Sequence, residues 1–143
     1  MTRKNFTLDD SGFTIKASAA VATSAAGSVI ATLGEGFVEG NMVIDVTGLD
    51  IDGNNEIYDI VLQLSPDALF GTAANIREKV ALSLSASEVK RTDCYADDII
   101  GRYIVPFNNL HAGTLYPYAR IYTVVAGAGV GVGITYSARL CKR

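Results

Sequence analysis

A chain of 143 residues, 49% hydrophobic and 19% charged, is the size of one domain and long enough to bury a core without disulfides or metals. Its formal net charge of −3 is too mild for a nucleic-acid binder, and no run approaches the roughly 18 consecutive apolar residues of a membrane span. The start, MTRKNFTLDD, has basic residues but no apolar stretch behind them, so it does not read as a signal peptide. The product is expected to be made in the cytosol, with Cys94 and Cys141 as free thiols.

Taken in chain order, residues 1–11 are polar, carry one aromatic (Phe6) and show no alternation, which suggests an N-terminal arm ahead of a domain spanning residues 12–143. From Phe13 onward a period of two dominates, the signature of half-buried strands. FTIKA places Phe13 and Ile15 on one face, and SVIATL and MVIDVT follow across the glycine-rich GEGFVEG. EIYDIVLQL is the clearest case: Tyr58, Ile60, Leu62 and Leu64 share one face while Asp59 and Gln63 share the other. In SPDALFGTAANIREKV, Ser65 is a candidate N-cap and Pro66 a first helical residue, so one short helix or turn is expected before Val80. VALSLS sets Val80, Leu82 and Leu84 against Ala81, Ser83 and Ser85. GRYIVPF, YARIYTVV and VGITYSARL complete about eight strands, and Pro106, which lacks a ladder donor, is expected at a strand end or sheet edge. Short strands with turn signals between them predict an all-β, single-domain antiparallel β-sandwich or barrel.

Charge is unevenly distributed along the chain. No Lys or Arg lies between Lys16 and Arg77, so residues 1–71 hold 3 basic and 10 acidic groups and residues 72–143 hold 9 and 5. Such a division suits either one acidic and one basic surface or charges that merely solvate loops. A mean hydropathy of +0.26 suggests surface buried against other chains, or a core rich in Ala and Val.

No motif carries chemistry. GAGVGVG departs from a dinucleotide fingerprint, because counting from Gly127 the third glycine arrives one residue early, at Gly131, and a strand-like ITYSARL follows. It reads as a hairpin turn after YARIYTVV, with Gly129, Gly131 and Gly133 on one strand face. DIDGNNE lacks the glycine of a calcium-binding EF-hand loop, since Asn55 occupies its sixth position. It reads as a hairpin turn at Asp52-Gly53-Asn54, with Asp50, Asp52, Asn54 and Glu56 left open as oxygen ligands for an ion. His111 is the sole histidine and has no nucleophile elbow near it; Cys94 lies among acids that raise a thiol pKa; Asp97 and Asp98 are adjacent and point apart on an extended chain. No enzyme activity, cofactor or metal is expected. Arg102 and Arg120 sit among tyrosines, as on a nucleic-acid-binding strand platform, but the net charge is wrong for one.

Four features together resemble a known family: the arm-like start, the alternating strands throughout, the arginine-bearing YARIYTVV, and the glycine-rich passage into GAGVGVGITYSARL. The chain resembles the jelly-roll capsid cement, or decoration, proteins of tailed bacteriophages, of the Bordetella-phage cement protein type. The resemblance implies an antiparallel jelly roll of about eight strands and a virion structural protein on the outer surface of an icosahedral head. It implies the major capsid protein and further copies of the chain, as a dimer or other small homo-oligomer, as partners, with no nucleic acid and no membrane. Arg3, Lys4 and Phe6 in the arm, with Arg102 and Arg120, are the candidate interface residues. The alternatives are a tail or head-fibre structural module, or a sandwich that binds sugar or calcium.

Overall fold

The alternation of EIYDIVLQL becomes a strand in which Tyr58, Ile60, Leu62 and Leu64 are at most 2% exposed between two sheets. The computed structural model describes residues 13–127 and 131–142. The expected arm, residues 1–11 with Arg3, Lys4 and Phe6, lies outside them, as does Gly129. The strands are β1 (Phe13–Val21), β2 (Ala25–Ala26), β3 (Ala31–Thr32), β4 (Glu39–Leu49), β5 (Ile57–Ser65), β6 (Arg77–Ser85), β7 (Ala96–Asp97), β8 (Gly101–Asn108), β9 (Leu110–His111), β10 (Thr114–Leu115), β11 (Tyr118–Ala126) and β12 (Ile134–Lys142). A four-stranded sheet has the order β1-β12-β4-β8; a six-stranded sheet has the order β2-β11-β5-β6-β7, with β3 also on β11. Every pairing is antiparallel except the short β6–β7 contact.

The core lies between the sheets. Ile15, Met42, Ile44, Val105, Tyr136 and Leu140 face it from the four-stranded sheet; Tyr58, Ile60, Leu62, Leu82, Leu84 and Ile121 face it from the six-stranded one. The fold is therefore an all-β antiparallel sandwich, as the alternation predicts. Pro106 sits on β8, an edge strand of its sheet, where a residue without an N–H is tolerated.

Several local expectations change. DGN and GAGVGVG are not hairpin turns: β4 and β5 belong to different sheets, as do β11 and β12, so both connections cross the sandwich. Alternation reveals which side chains turn inward but not which sheet a strand joins. Ile134 opens β12, so Gly131 and Gly133 precede the strand instead of sharing its face. In SPDALFGTAANIREKV the short helix or turn expected is a 3₁₀ turn at Ala73–Asn75, so Ser65 and Pro66 do not open it, and β6 has begun by Arg77. There Ser65 Oγ accepts the Asp67 N–H at 3.0 Å, and the Asp67 carboxylate accepts the N–H groups of Leu69 (3.1 Å) and Gly71 (3.2 Å). These side-chain bonds hold a compact loop in place of a helix. A bulge between β5 and β6 pairs Val80 with Val61 and Leu82 with Ile60, so Ala81, not Val80, packs against the core beside Leu82. SVIATL yields only the two residues of β3.

Asn109, fully buried, ties one end of the sandwich. Its Oδ1 accepts the Val38 N–H at 2.8 Å, and its Nδ2 donates to Gly36 O (2.9 Å) and Tyr116 O (3.1 Å). All its side-chain hydrogen-bonding capacity in this knot goes to backbone, which is what a buried amide requires.

Candidate interaction surfaces

The two crossing connections meet at the opposite end. Asp50 Oδ2 accepts the backbone N–H groups of Gly131 (2.9 Å) and Val132 (3.2 Å), and its backbone N–H donates to Gly133 O at 3.1 Å. Glu56, also fully buried, accepts the Gly53 N–H with both oxygens, at 3.0 and 2.8 Å. Gly127 and Gly133 have φ of +105° and +79°, and a Cβ on either would fall 2.3 Å from Asn55 O or 2.0 Å from Val21 O. The glycine-rich segment thus cradles a carboxylate of its own chain, and only glycine fits where the two backbones approach. Asp50 and Glu56 spend these lone pairs on the protein's backbone. Among the described residues no three His, Cys, Asp or Glu side chains gather as a metal cluster.

The outer face of the six-stranded sheet is roofed by its own loops. Arg120, on β11, donates from Nε to Gln63 Oε1 at 2.7 Å and lies over the Phe70 ring at 4.4 Å; Gln63 Nε2 donates to Glu78 Oε2 at 2.8 Å. Phe70 comes from the β5–β6 loop and is itself buried. One strand over, Arg91 from the β6–β7 loop donates to Asp59 Oδ2 at 2.7 Å and grips both oxygens of Asp93 at 3.0 Å. The Arg91 guanidinium holds the Asp93 carboxyl below its ordinary range. Asp59 Oδ1 and Ser83 Oγ are buried under this roof without a partner, and the two residues face each other in the β5–β6 register. Arg120, expected as an interface residue, is half-buried in this internal network.

The outer face of the four-stranded sheet is different. Arg102 on β8 forms a bidentate pair with Asp45 on β4, Nε to Oδ1 at 2.7 Å and Nη2 to Oδ2 at 3.2 Å, and remains half-exposed. Beside it the register aligns Thr14, Arg139, Val43 and Ile104 in one row and Cys141, Asn41 and Pro106 in the next. On the edge strand β1, two register shifts are plugged by Lys16. Its Nζ donates to the carbonyls of Ala17 (3.1 Å), Ala19 (3.2 Å) and Tyr136 (2.9 Å) and sits 4.2 Å from the Tyr136 ring centre. Burial lowers the Lys16 pKa from its ordinary value. The pairs Asp45–Arg102 and Asp59–Arg91 each join the acid-rich half of the chain to the basic half, so these charges meet instead of forming separate surfaces.

Large apolar side chains are exposed on either side of β7, at the sandwich edge: Tyr95 at 57% before it, and Ile99 at 61% and Ile100 at 54% in the β7–β8 connection. Tyr95 stacks edge-on against Tyr103, whose hydroxyl donates to Ile99 O. Beneath them a cleft of about 340 Å³ opens between β6 and β8, floored by Met42, Leu62, Val105 and Phe107 and rimmed by Lys79 and Cys94. Lys79 Nζ bridges the open edge to Asn108 Oδ1 (3.2 Å) and Leu110 O (2.8 Å). The Cys94 thiol is pushed up, first by burial and less by Asp93 and Asp59, against the opposing pull of Arg91. That is the reverse of an activated nucleophile. His111 lies in β9, opposite Thr114 of β10. Asp97 accepts the Asp98 N–H at 2.8 Å, and Asp98 pairs with Lys90 at 3.5 Å. The Asn109 knot, the Lys16 plug and the Asp59–Arg91 pair carry no local sequence signal, because each joins residues from separate elements.

No protein-family model, no curated protein and no solved structure matches the chain.

Proposed function

We propose that the protein is a capsid cement, or decoration, protein: a structural protein that binds the outer surface of an icosahedral phage head and clamps neighbouring major capsid subunits. The observation that carries this reading is the strand order. Taking β2 and β3 as one interrupted strand and leaving aside the two-residue strands β7, β9 and β10, the sheets read first-eighth-third-sixth and second-seventh-fourth-fifth. Two Greek keys folded into a double sheet interleave in this order, which supports the jelly-roll form of the sandwich. A fold hosts many functions, so the surface has to add its own support. Tyr95, Ile99 and Ile100 offer an apolar strip at a sheet edge, suited to a protein partner. The buried carboxylates of Glu56 and Asp59 and the half-buried guanidinia of Arg91 and Arg120 bond to the chain's own groups, as suits a rigid clamp. Many copies, each bridging two subunits, would multiply a modest affinity. On this reading the partners are the major capsid protein and other copies of the chain, and no catalysis is assigned.

The test is sedimentation of native source material, following the chain by mass spectrometry. Co-migration with virus-sized particles that survives washing is the expected result. A small species at the top of the gradient, with none on particles, would overturn the reading.

A further inference from the structure

The cleft between β6 and β8 joins an apolar floor to a single cation. Lys79 stands opposite Leu62 in the β5–β6 register, so the two side chains leave the same face of the sheet, toward the core. An ammonium turned inward needs oxygen partners. Lys79 Nζ has two, Asn108 Oδ1 at 3.2 Å and Leu110 O at 2.8 Å, and both are neutral. An ammonium carries three N–H donors, so these acceptors leave one to spare. The nearby carboxylates are engaged elsewhere. Glu78 turns to the outer face and accepts from Gln63 Nε2 at 2.8 Å. Asp93, which also lines the cleft, is gripped through both oxygens by Arg91. Lys79 is the one cation among the described residues that line the cleft, and the ion pairs described above do not include it.

We propose that this cleft binds a small free carboxylate with an unbranched apolar tail, the carboxylate on Lys79 Nζ and the tail along Met42, Leu62, Val105 and Phe107. Three features favour this occupant. The first is size. A cleft of about 340 Å³ lies at the small end of the range of ligand pockets, with room for about eleven water-sized groups. The second is shape. Lys79 ties β6 to Asn108 and Leu110, which closes the cleft at that end. A ligand that terminates in its charged group fits there, whereas an extended peptide would have to run on past the bridge. The third is charge. A carboxylate gives the ammonium a charge-assisted hydrogen bond, stronger than those to its two neutral acceptors. A lysine that only keeps a sheet edge from pairing needs no cleft beneath it. The inference concerns the free chain and stands whether or not the capsid reading does.

Met42 is the reporter. It lies on the cleft floor, and Met1 is the only other methionine. The full chain, carrying ¹³C-methyl methionine, is titrated with octanoate and, separately, with octylammonium, and the Met42 methyl is followed by NMR. Octanoate, with about ten non-hydrogen atoms, should shift it saturably with half-saturation near about 1 mM. Octylammonium, with the same tail and the opposite charge, should need at least about tenfold more. Lys79→Gln, which keeps a donor at the bridge, should weaken octanoate by about tenfold and should not weaken octylammonium. A Met42 signal unmoved by octanoate at about ten times the expected half-saturation would overturn the proposal. So would equal binding of the two tails, or an unchanged octanoate titration in Lys79→Gln, either of which would leave Lys79 as a guard of the sheet edge. An acetylated and amidated leucine–glutamate–leucine peptide that binds more tightly than octanoate would assign the cleft to a protein segment and overturn the free ligand. If Lys79→Gln does not fold, the comparison of the two tails on the unaltered chain decides alone.

Discussion

The two outer faces of the sandwich solve one problem in different ways. On the six-stranded sheet, β5 carries Asp59 and Gln63 outward, as polar residues on a wet face should be, yet both are buried. Their cover comes from the neighbouring strands β6 and β11 and from the loops flanking β6, and the contact is polar: Arg91 on Asp59, Glu78 and Arg120 on Gln63, with the Phe70 ring against Arg120. On the four-stranded sheet the buried outward residues are Val43 and Cys141, and neither carries a charge. A polar roof must be assembled by matched partners and holds one geometry; an apolar roof is held by area alone. The first kind belongs to the rigid body of the fold.

Substitutions can break this contrast. Phe70→Ala should have the largest effect, removing a buried ring and the surface under Arg120, for a loss of about 3 kcal/mol in denaturant unfolding. A loss below about 1 kcal/mol would mean that the β5–β6 loop is not a structural roof. Arg91→Met should cost about 2 kcal/mol, because Asp59 is left with both oxygens unpaired under the loop. The companion Asp59→Leu, Arg91→Met variant should recover most of that loss, since no buried charge then remains. If the double variant is as unstable as the single one, the pair contributes more than mutual neutralisation.

A pH series addresses what the sheets share. Each contributes one fully buried tyrosine, Tyr58 and Tyr136, and burial chiefly pushes both hydroxyls up to about 12. Unfolded tyrosines ionise near about pH 10. Between about pH 10 and 12 the folded chain therefore holds more protons than the unfolded one, and stability falls as pH rises through that window. Tyr136→Phe should flatten the fall, at the cost of its 2.5 Å bond to Thr123 across the sandwich. An unaltered slope in guanidinium melts would show that Tyr136 ionises as freely when folded as when unfolded. The smallest effect is expected at Arg102→Ala, a half-exposed pair on the four-stranded sheet, within about 0.5 kcal/mol and shrinking further in salt. A loss as large as that at Arg91 would erase the contrast between the faces.

Much of the architecture is legible in the residues alone. Period-two alternation in EIYDIVLQL and GRYIVPF names the inward residues correctly, because successive side chains on a strand must leave opposite faces. Pro106 announces an edge because it has no N–H to give. Only the tertiary structure decides which sheet each strand joins, and that choice turns two apparent hairpins into crossings between layers. It also decides that the glycines of GAGVGVG hold Asp50, that Ala81 displaces Val80 at a bulge, and that Asn109 knots three segments. The reason is the same in each case. Alternation is a property of one strand and is written in consecutive residues. Pairing, arches and buried polar contacts join residues far apart in the chain, and no short stretch contains both partners.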